Sequence, residues 1–77
     1  MSSVRLTKQQ IDKLTFGISS LDQHQREQVR SLLYRLHDRN GGQIYRNSLH
    51  LELMKLRKAN DISDIDLDNI ESVVLGA

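Results

Sequence analysis

Apolar residues recur at intervals of three and four along most of this chain, and this spacing constrains the fold more than any other feature. It places apolar side chains on one face of a helix, whereas a half-buried strand alternates apolar and polar residues. The intervening residues are mainly Gln, Arg, Lys and Glu, which are good helix formers, and no Pro interrupts them. We therefore expect an all-α fold.

The chain divides into four predicted helices at residues that commonly start or stop one. Three of the starts pair a capping residue with a polar residue three places later, as a capping box does. These pairs are Thr7 with Gln10, Asp22 with Gln25, and Ser63 with Asp66. Asn47 or Ser48 is expected to cap the remaining helix. The predicted helices span about residues 7–19, 22–39, 47–59 and 63–75 of a small single domain, residues 1–77.

Each predicted helix carries one apolar stripe that is expected to face the core. The stripes comprise Ile11, Leu14, Ile18 and Leu21; Val29, Leu32, Leu33 and Leu36; Leu49, Leu53 and Leu56; and Leu67, Ile70 and Val74. The segment 43–45, which follows two glycines, is too short to assign and is expected to be an extended connector.

The small size of the chain favours association with a partner. A domain of 77 residues buries only about 60% of the surface of its unfolded chain, and no Cys is present to form disulfides.

The N-terminal residues lack the apolar segment of a signal peptide, and no apolar run reaches the ~20 residues of a membrane span. We expect a cytoplasmic protein.

Residues 29–56 carry apolar residues around a central glycine. The pattern comprises Val29, Leu32, Leu33 and Leu36, then Gly42 and Ile44, and then Leu49, Leu53 and Leu56. It resembles the frame of an EF-hand, the helix–loop–helix calcium module, with Gly42 at the sharp turn of the loop and Ile44 at its aliphatic position. The resemblance implies an EF-hand-like pairing of the second and third predicted helices.

The calcium ligands of that family are not matched. The ligand positions fall on His37, Arg39, Gly41 and Ser48, and none of these is a carboxylate. Calcium needs six or more oxygen ligands, and the one carboxylate of this loop, Asp38, lies at a non-ligand position. The resemblance therefore implies a degenerate EF-hand that keeps the packing without the ion, and we expect no metal.

Two further patterns could suggest metal sites. Asp64, Asp66 and Asp68 alternate as in a calcium loop, but the required glycine is Asn69 and the twelfth position is Leu75. These acids are better explained as the first turn of a helix, where the N-terminal helix dipole stabilises acidic side chains. Three histidines, His24, His37 and His50, are thirteen residues apart, unlike the three-to-five spacing of zinc ligands.

The sequence indicates no catalytic chemistry. It contains no nucleophile elbow and no phosphate-binding loop. A domain of this size rarely encloses a pocket of the ~300 Å³ that small-molecule sites occupy. We expect no catalytic residues and no cofactor, and a protein that is not an enzyme.

Charge is unevenly distributed although the formal net charge is only +1. Residues 22–58 carry eight basic and four acidic side chains, whereas residues 61–77 carry five acidic side chains and no basic one. Such asymmetry can mark interaction surfaces. Alternatively, the acidic segment lies on the basic one and neutralises it within the molecule.

Arginines on the second predicted helix suggest a nucleic-acid-binding or regulatory factor as one alternative. Arg26 and Arg30 lie near Tyr34 on one flank of the apolar stripe, and Arg35 and Arg39 lie on the other. Arginines can contact phosphates, and a tyrosine can stack on a base. Against this, nucleic-acid modules are usually more basic than +1. A helix–turn–helix built from the last two helices would present acidic residues to DNA.

The third predicted helix is apolar on two sides, which favours a protein partner. Beyond its inward stripe, Leu51 and Met54 lie on the opposite side near Lys58, and we expect these three residues to form an exposed patch. The preferred function is a non-enzymatic protein–protein interaction module. The partner would be another protein or a second copy of the chain.

Overall fold

The computed structural model describes residues 3–76, which form four helices and a small two-stranded sheet. In chain order the elements are β1 (Ser3–Arg5), α1 (Lys8–Gly17), α2 (Gln23–Arg39), β2 (Gln43–Tyr45), α3 (Arg46–Lys58) and α4 (Asp64–Leu75). The domain is mainly α-helical, and its four helices correspond to the four predicted ones. α1 packs against α2 and α3 packs against α4, while α2 also contacts α3.

Side-chain caps start three of the helices as predicted. The Thr7 hydroxyl accepts a hydrogen bond from the Gln10 backbone N–H at 3.1 Å, and the Gln10 side chain accepts one from the Thr7 N–H at 2.8 Å. Asp22 with Gln25 and Ser63 with Asp66 form the same reciprocal pair. Each box satisfies two backbone donors that a helix start otherwise leaves unpaired.

The predicted cap of α3 was wrong. Its N-cap is Tyr45, which makes no side-chain hydrogen bond to the helix, and Asn47 and Ser48 lie inside the first turn. β2 runs directly into α3, so the last strand residue is also the boundary of the helix. The helix therefore begins without a polar side-chain cap.

A two-stranded antiparallel sheet joins the start of the chain to the middle. Val4 lies opposite Ile44, and the Leu6 N–H donates to the Gly42 carbonyl oxygen at 3.0 Å. Gly41 and Gly42 turn the chain into β2 with φ values of +63° and +96°, which favour glycine. The segment 43–45 is extended as expected, whereas β1 had not been predicted.

One apolar core lies between the helices and beneath the sheet. It contains Leu6, Ile11, Ile18, Leu21, Val29, Leu32, Leu33, Leu36, Ile44, Leu49, Leu53, Ile62, Leu67, Ile70 and Val74. Most residues of the predicted stripes are therefore buried, while Leu14 and Leu56 are half-buried at the edge. The inward positions of every helix are filled, so apolar side chains elsewhere are not needed to complete this core.

Candidate interaction surface

Among residues 3–76, three large apolar side chains are more than half exposed, while Tyr45 is 38% exposed. Phe16 of α1 is 78% exposed, Leu51 of α3 is 64% exposed and Ile65 of α4 is 71% exposed. Isolated apolar residues are common on protein surfaces, so the neighbours of each one decide whether it marks a site.

Leu51 lies on an exposed stripe of α3 that also carries two lysines. Leu51, Lys55 and Lys58 are spaced four and three residues apart, so they follow one face of the helix, and all three are exposed. Lys55 is paired with Glu52 at 3.2 Å, whereas Lys58 has no ion-pair partner within residues 3–76. We call these three residues the α3 stripe; it is apolar at one end and basic at the other.

Met54 is less exposed than predicted, since it was expected to form an exposed patch together with Leu51. It is half-buried and packs against the core. Its neighbours one turn away, His50 and Arg57, both contact α4, so this flank of α3 faces the adjacent helix. Met54 therefore lies at the edge of the α3 stripe, and Leu51 is the exposed apolar residue of the predicted patch.

A second exposed stripe runs along α4. It contains Ile65, Asp68, Asn69 and Ser72, all exposed and at helical spacing of three, four and seven residues. Asp68 has no ion-pair partner in the part of the chain that the structure describes. We call these four residues the α4 stripe; it combines one apolar and one acidic residue.

Two contacts hold α3 and α4 together as an antiparallel hairpin. The Arg57 guanidinium donates through Nε to Oδ1 of Asp64 and through Nη2 to Oδ2 at 3.4 Å. His50 Nδ1 lies 2.6 Å from Glu71 Oε1. The hydrogen bond from Arg57 lowers the pKa of Asp64 below its ordinary value, and the same bond raises that of Arg57. Part of the basic middle segment is thus neutralised by the acidic C-terminal segment.

Acidic neighbours engage several of the arginines considered for nucleic acid. Arg30 donates to Glu27 at 2.7 Å and lies 3.8 Å from Asp12. Arg35 lies 3.7 Å from Glu52 of α3. A phosphate would have to displace these carboxylates, which weighs against a phosphate-binding face on α2.

Tyr34 and Arg26 are likewise engaged within the molecule. The Tyr34 hydroxyl donates to Asp12 at 2.6 Å, and this bond raises the pKa of the phenol. Its ring lies beneath the Lys8 ammonium, 5.4 Å from the ring centre. The Arg26 guanidinium stacks over Phe16 at 5.6 Å. Arg39, at the exposed end of α2, is separate from this group.

Phe16, which the sequence did not single out, borders an open groove between α1 and α2. The groove has a volume of about 420 Å³ and is lined by Asp12, Lys13, Thr15, Phe16, Arg26, Glu27 and Arg30. Phe16 lies off the apolar stripe of α1 and directly before Gly17, where the helix ends. Because Phe16 lies outside the apolar stripe of α1, the spacing of apolar residues in the sequence already indicated that its side chain is exposed.

Basic groups lie beside two oxygen atoms where the end of α2 turns into β2. Arg5 donates to the Gly41 carbonyl oxygen at 3.2 Å, and the Lys8 ammonium lies 3.6 Å from the Asp38 carboxylate. The hydrogen bond to His37, together with Lys8, lowers the pKa of Asp38. Among residues 3–76, no three His, Asp or Glu side chains are close enough together to hold a metal ion.

Comparison of the chain with family models, with curated proteins and with solved structures finds no match in any of the three. Within the described residues, none of the helices combines the length and apolar character required to cross a membrane.

Proposed function

We propose that this chain is a non-enzymatic interaction domain that binds a protein through the α3 stripe. The supporting observation is that Leu51 is 64% exposed while Leu49 and Leu53 of the same helix are fully buried. The core side of α3 is therefore complete, and its outer side still presents a large apolar residue. Fully burying an exposed leucine side chain releases about 1.5–3 kcal/mol, which offsets part of the entropic cost of association.

The charges next to Leu51 indicate the kind of partner. Lys55 and Lys58 follow it on the stripe, so a partner that brings an apolar residue with acidic neighbours complements this face in charge and polarity. Half-buried Met54 lies at the edge, where its flexible thioether can adapt to the partner surface. One helix face corresponds to a small interface, so the contact belongs to the weak or transient class.

We also propose that residues 37–48 form a degenerate EF-hand-like loop. Gly42 with its positive φ, fully buried Ile44 and the flanking helices α2 and α3 support this interpretation. In place of an ion, the loop is held by the pairing of β2 with β1 and by the Arg5 hydrogen bond to Gly41. The loop then has a structural role, leaving the outer face of α3 for binding.

The experiment that tests the interaction function compares the wild-type chain with Leu51→Ser. Each is immobilised and exposed to nuclease-treated extract of the source cells, and retained proteins are identified by mass spectrometry. Phe16→Ser is the matched control, because it removes an even more exposed apolar side chain from a different helix. We expect Leu51→Ser to lose specifically retained proteins, including a second copy of the chain, that Phe16→Ser keeps.

A folded Leu51→Ser variant that retains every protein bound by the wild type would contradict the proposed function. Circular dichroism verifies that both variants remain helical. The nuclease treatment ensures that the retained proteins are not bridged by nucleic acid.

A further inference from the structure

We infer that the partner of the α3 stripe is the α4 stripe of a second copy of this chain. The inference rests on the proposed function and adds the identity of the partner and the arrangement. Two α3–α4 hairpins would pack with their outer faces together about a twofold axis. The α3 stripe of each copy then contacts the α4 stripe of the other copy.

The two stripes complement each other in chemistry. The α3 stripe has one apolar residue and two lysines, whereas the α4 stripe has one apolar residue, an aspartate and two small polar residues. Asp68 has no ion-pair partner within residues 3–76, so its charge is free for a contact between copies; on the facing stripe, Lys58 is likewise without such a partner and adds to the positive charge of Lys55. Packing either stripe on its own copy would instead bring like charges together, which is unfavourable.

Both stripes lie on the same side of the hairpin. Leu51 is two residues from each of the buried residues Leu49 and Leu53, which places it on the opposite side of α3 from the core. Ile65 and Ser72 are likewise on the side of α4 away from buried Ile70. The outer face of the hairpin therefore presents both stripes to one partner.

The positions of the two stripes along the helix axis also match between the copies. The contacts of Arg57 with Asp64 and of His50 with Glu71 are seven residues apart on each helix, so they fix one antiparallel alignment. A twofold axis roughly parallel to the helices preserves these heights. At 1.5 Å per residue, Leu51 then lies within about 2 Å in height of the centre of the α4 stripe of the second copy.

The reciprocal contact fits as well. Ile65 of the second copy lies within about 2 Å in height of the centre of the α3 stripe. Lys55 and Asp68 of the second copy differ by only about 3 Å in height along the helix axis. Four residues at positions i, i+3, i+4 and i+7 form the hole that receives a side chain from a facing helix. Ile65, Asp68, Asn69 and Ser72 have this spacing, and so do Leu51, Met54, Lys55 and Lys58. Each exposed apolar residue is therefore level with a hole on the second copy.

The test uses charge reversal in the full chain and sedimentation equilibrium between about 10 µM and 1 mM, the range in which small interfaces associate. One variant is Lys55→Glu with Lys58→Glu, and the other is Asp68→Lys. Alone, each places like charges at both contacts of the dimer, so we expect association at least about tenfold weaker than wild type. Mixed in equal amounts, the two variants restore opposite charges at both contacts, and we expect a heterodimer close to wild-type affinity.

Phe16→Ser serves as the control and is expected to associate like the wild type. A wild type that stays monomeric up to 1 mM, variants that self-associate undiminished, or a mixture that fails to associate would each overturn the inference. If the wild type is monomeric but still retains another protein through Leu51, the inference fails while the proposed function stands. If Leu51→Ser retains all of the same proteins, it is the proposed function that fails.

Discussion

At the scale of single residues, Leu33 and Leu53 lie at the centre of the core. Both side chains are fully buried, Leu33 on the longest helix and Leu53 on the helix that carries the α3 stripe. Leu53 thus anchors α3 from the inside, while Leu51, two positions earlier, faces outward. Neighbouring leucines of one helix therefore differ in role.

Leu33→Ala and Leu53→Ala are each expected to lower the free energy of unfolding by about 2–5 kcal/mol, because each leaves a cavity in a packed core. Small domains have a total stability of only about 5–15 kcal/mol, so the melting temperature should fall steeply. Thermal unfolding followed by circular dichroism measures this change. Leu51→Ser is the control, and a Leu33→Ala or Leu53→Ala variant that melts like the wild type would mean that the core is misassigned.

The spacing of apolar residues predicted burial well for positions at the centre of a stripe and poorly at its margins. Leu33 and Leu53 have apolar neighbours at helical spacing on both sides, so their orientation follows from the helix alone. Met54 lies on a flank, and its burial depends on α4, which packs there through His50 and Arg57. The periodicity of one helix contains no information about that neighbour.

At the scale of elements, local signals were sufficient for the helices but not for the sheet. The capping boxes at Thr7, Asp22 and Ser63 join residues three positions apart, so the sequence shows both partners together. β1 pairs with a strand forty positions away in the sequence, and three residues are too few to show a period. The α3–α4 contacts that align the two stripes are likewise tertiary and were not predictable from spacing.

The hairpin contact between Arg57 and Asp64 gives stability a defined dependence on pH. The pKa of Asp64 is lower in the folded chain than its ordinary value, so the folded state favours the charged carboxylate. Its stabilising contribution is complete above the ordinary carboxyl pKa of about 4 and is lost as pH falls through the lower folded value. We expect Asp64→Asn to lose less stability than the wild type between pH 5 and pH 2, about the range over which carboxylates titrate.

Chemical denaturation at a series of pH values measures this dependence. Asp68→Asn is the matched control, because it removes a carboxylate from the same helix that has no ion-pair partner among residues 3–76. Identical pH profiles for Asp64→Asn and the wild type would show that the Arg57–Asp64 contact does not stabilise the hairpin.

The loop of residues 37–48 is expected to be insensitive to calcium. The positions that would bind calcium in the proposed EF-hand-like loop lack carboxylates, Arg5 donates to the Gly41 carbonyl oxygen, and Lys8 lies beside Asp38. Amide NMR spectra recorded with up to about 10 mM calcium, well above the 10⁻⁴–10⁻³ M range of weak calcium modules, should show no saturable change in this loop. Saturable shifts centred on residues 37–48 would show that the loop binds the ion.

At the scale of the whole molecule, charge is distributed so that part of it is neutralised internally and part is available outside. Arg30, Arg35 and Arg57 are paired with acids of the same chain, whereas Lys58 and Asp68 point outward without an ion-pair partner in the described residues. The uneven charge of the sequence is thus consistent with both interpretations. The paired residues fit neutralisation within the molecule, and the unpaired residues fit an interaction surface. Only the folded arrangement shows which residues belong to which set.

Self-association through the two stripes can be tested directly by the concentration dependence of the amide NMR spectrum of the wild-type chain. Raising the concentration from about 10 µM to 1 mM should shift the amide signals of residues 51–58 and 65–72, because the proposed contact joins these two stripes. Signals around Phe16, on α1, should not move. Shifts confined to the α1–α2 groove, or a spectrum that does not change across this range, would contradict self-association through the α3 and α4 stripes.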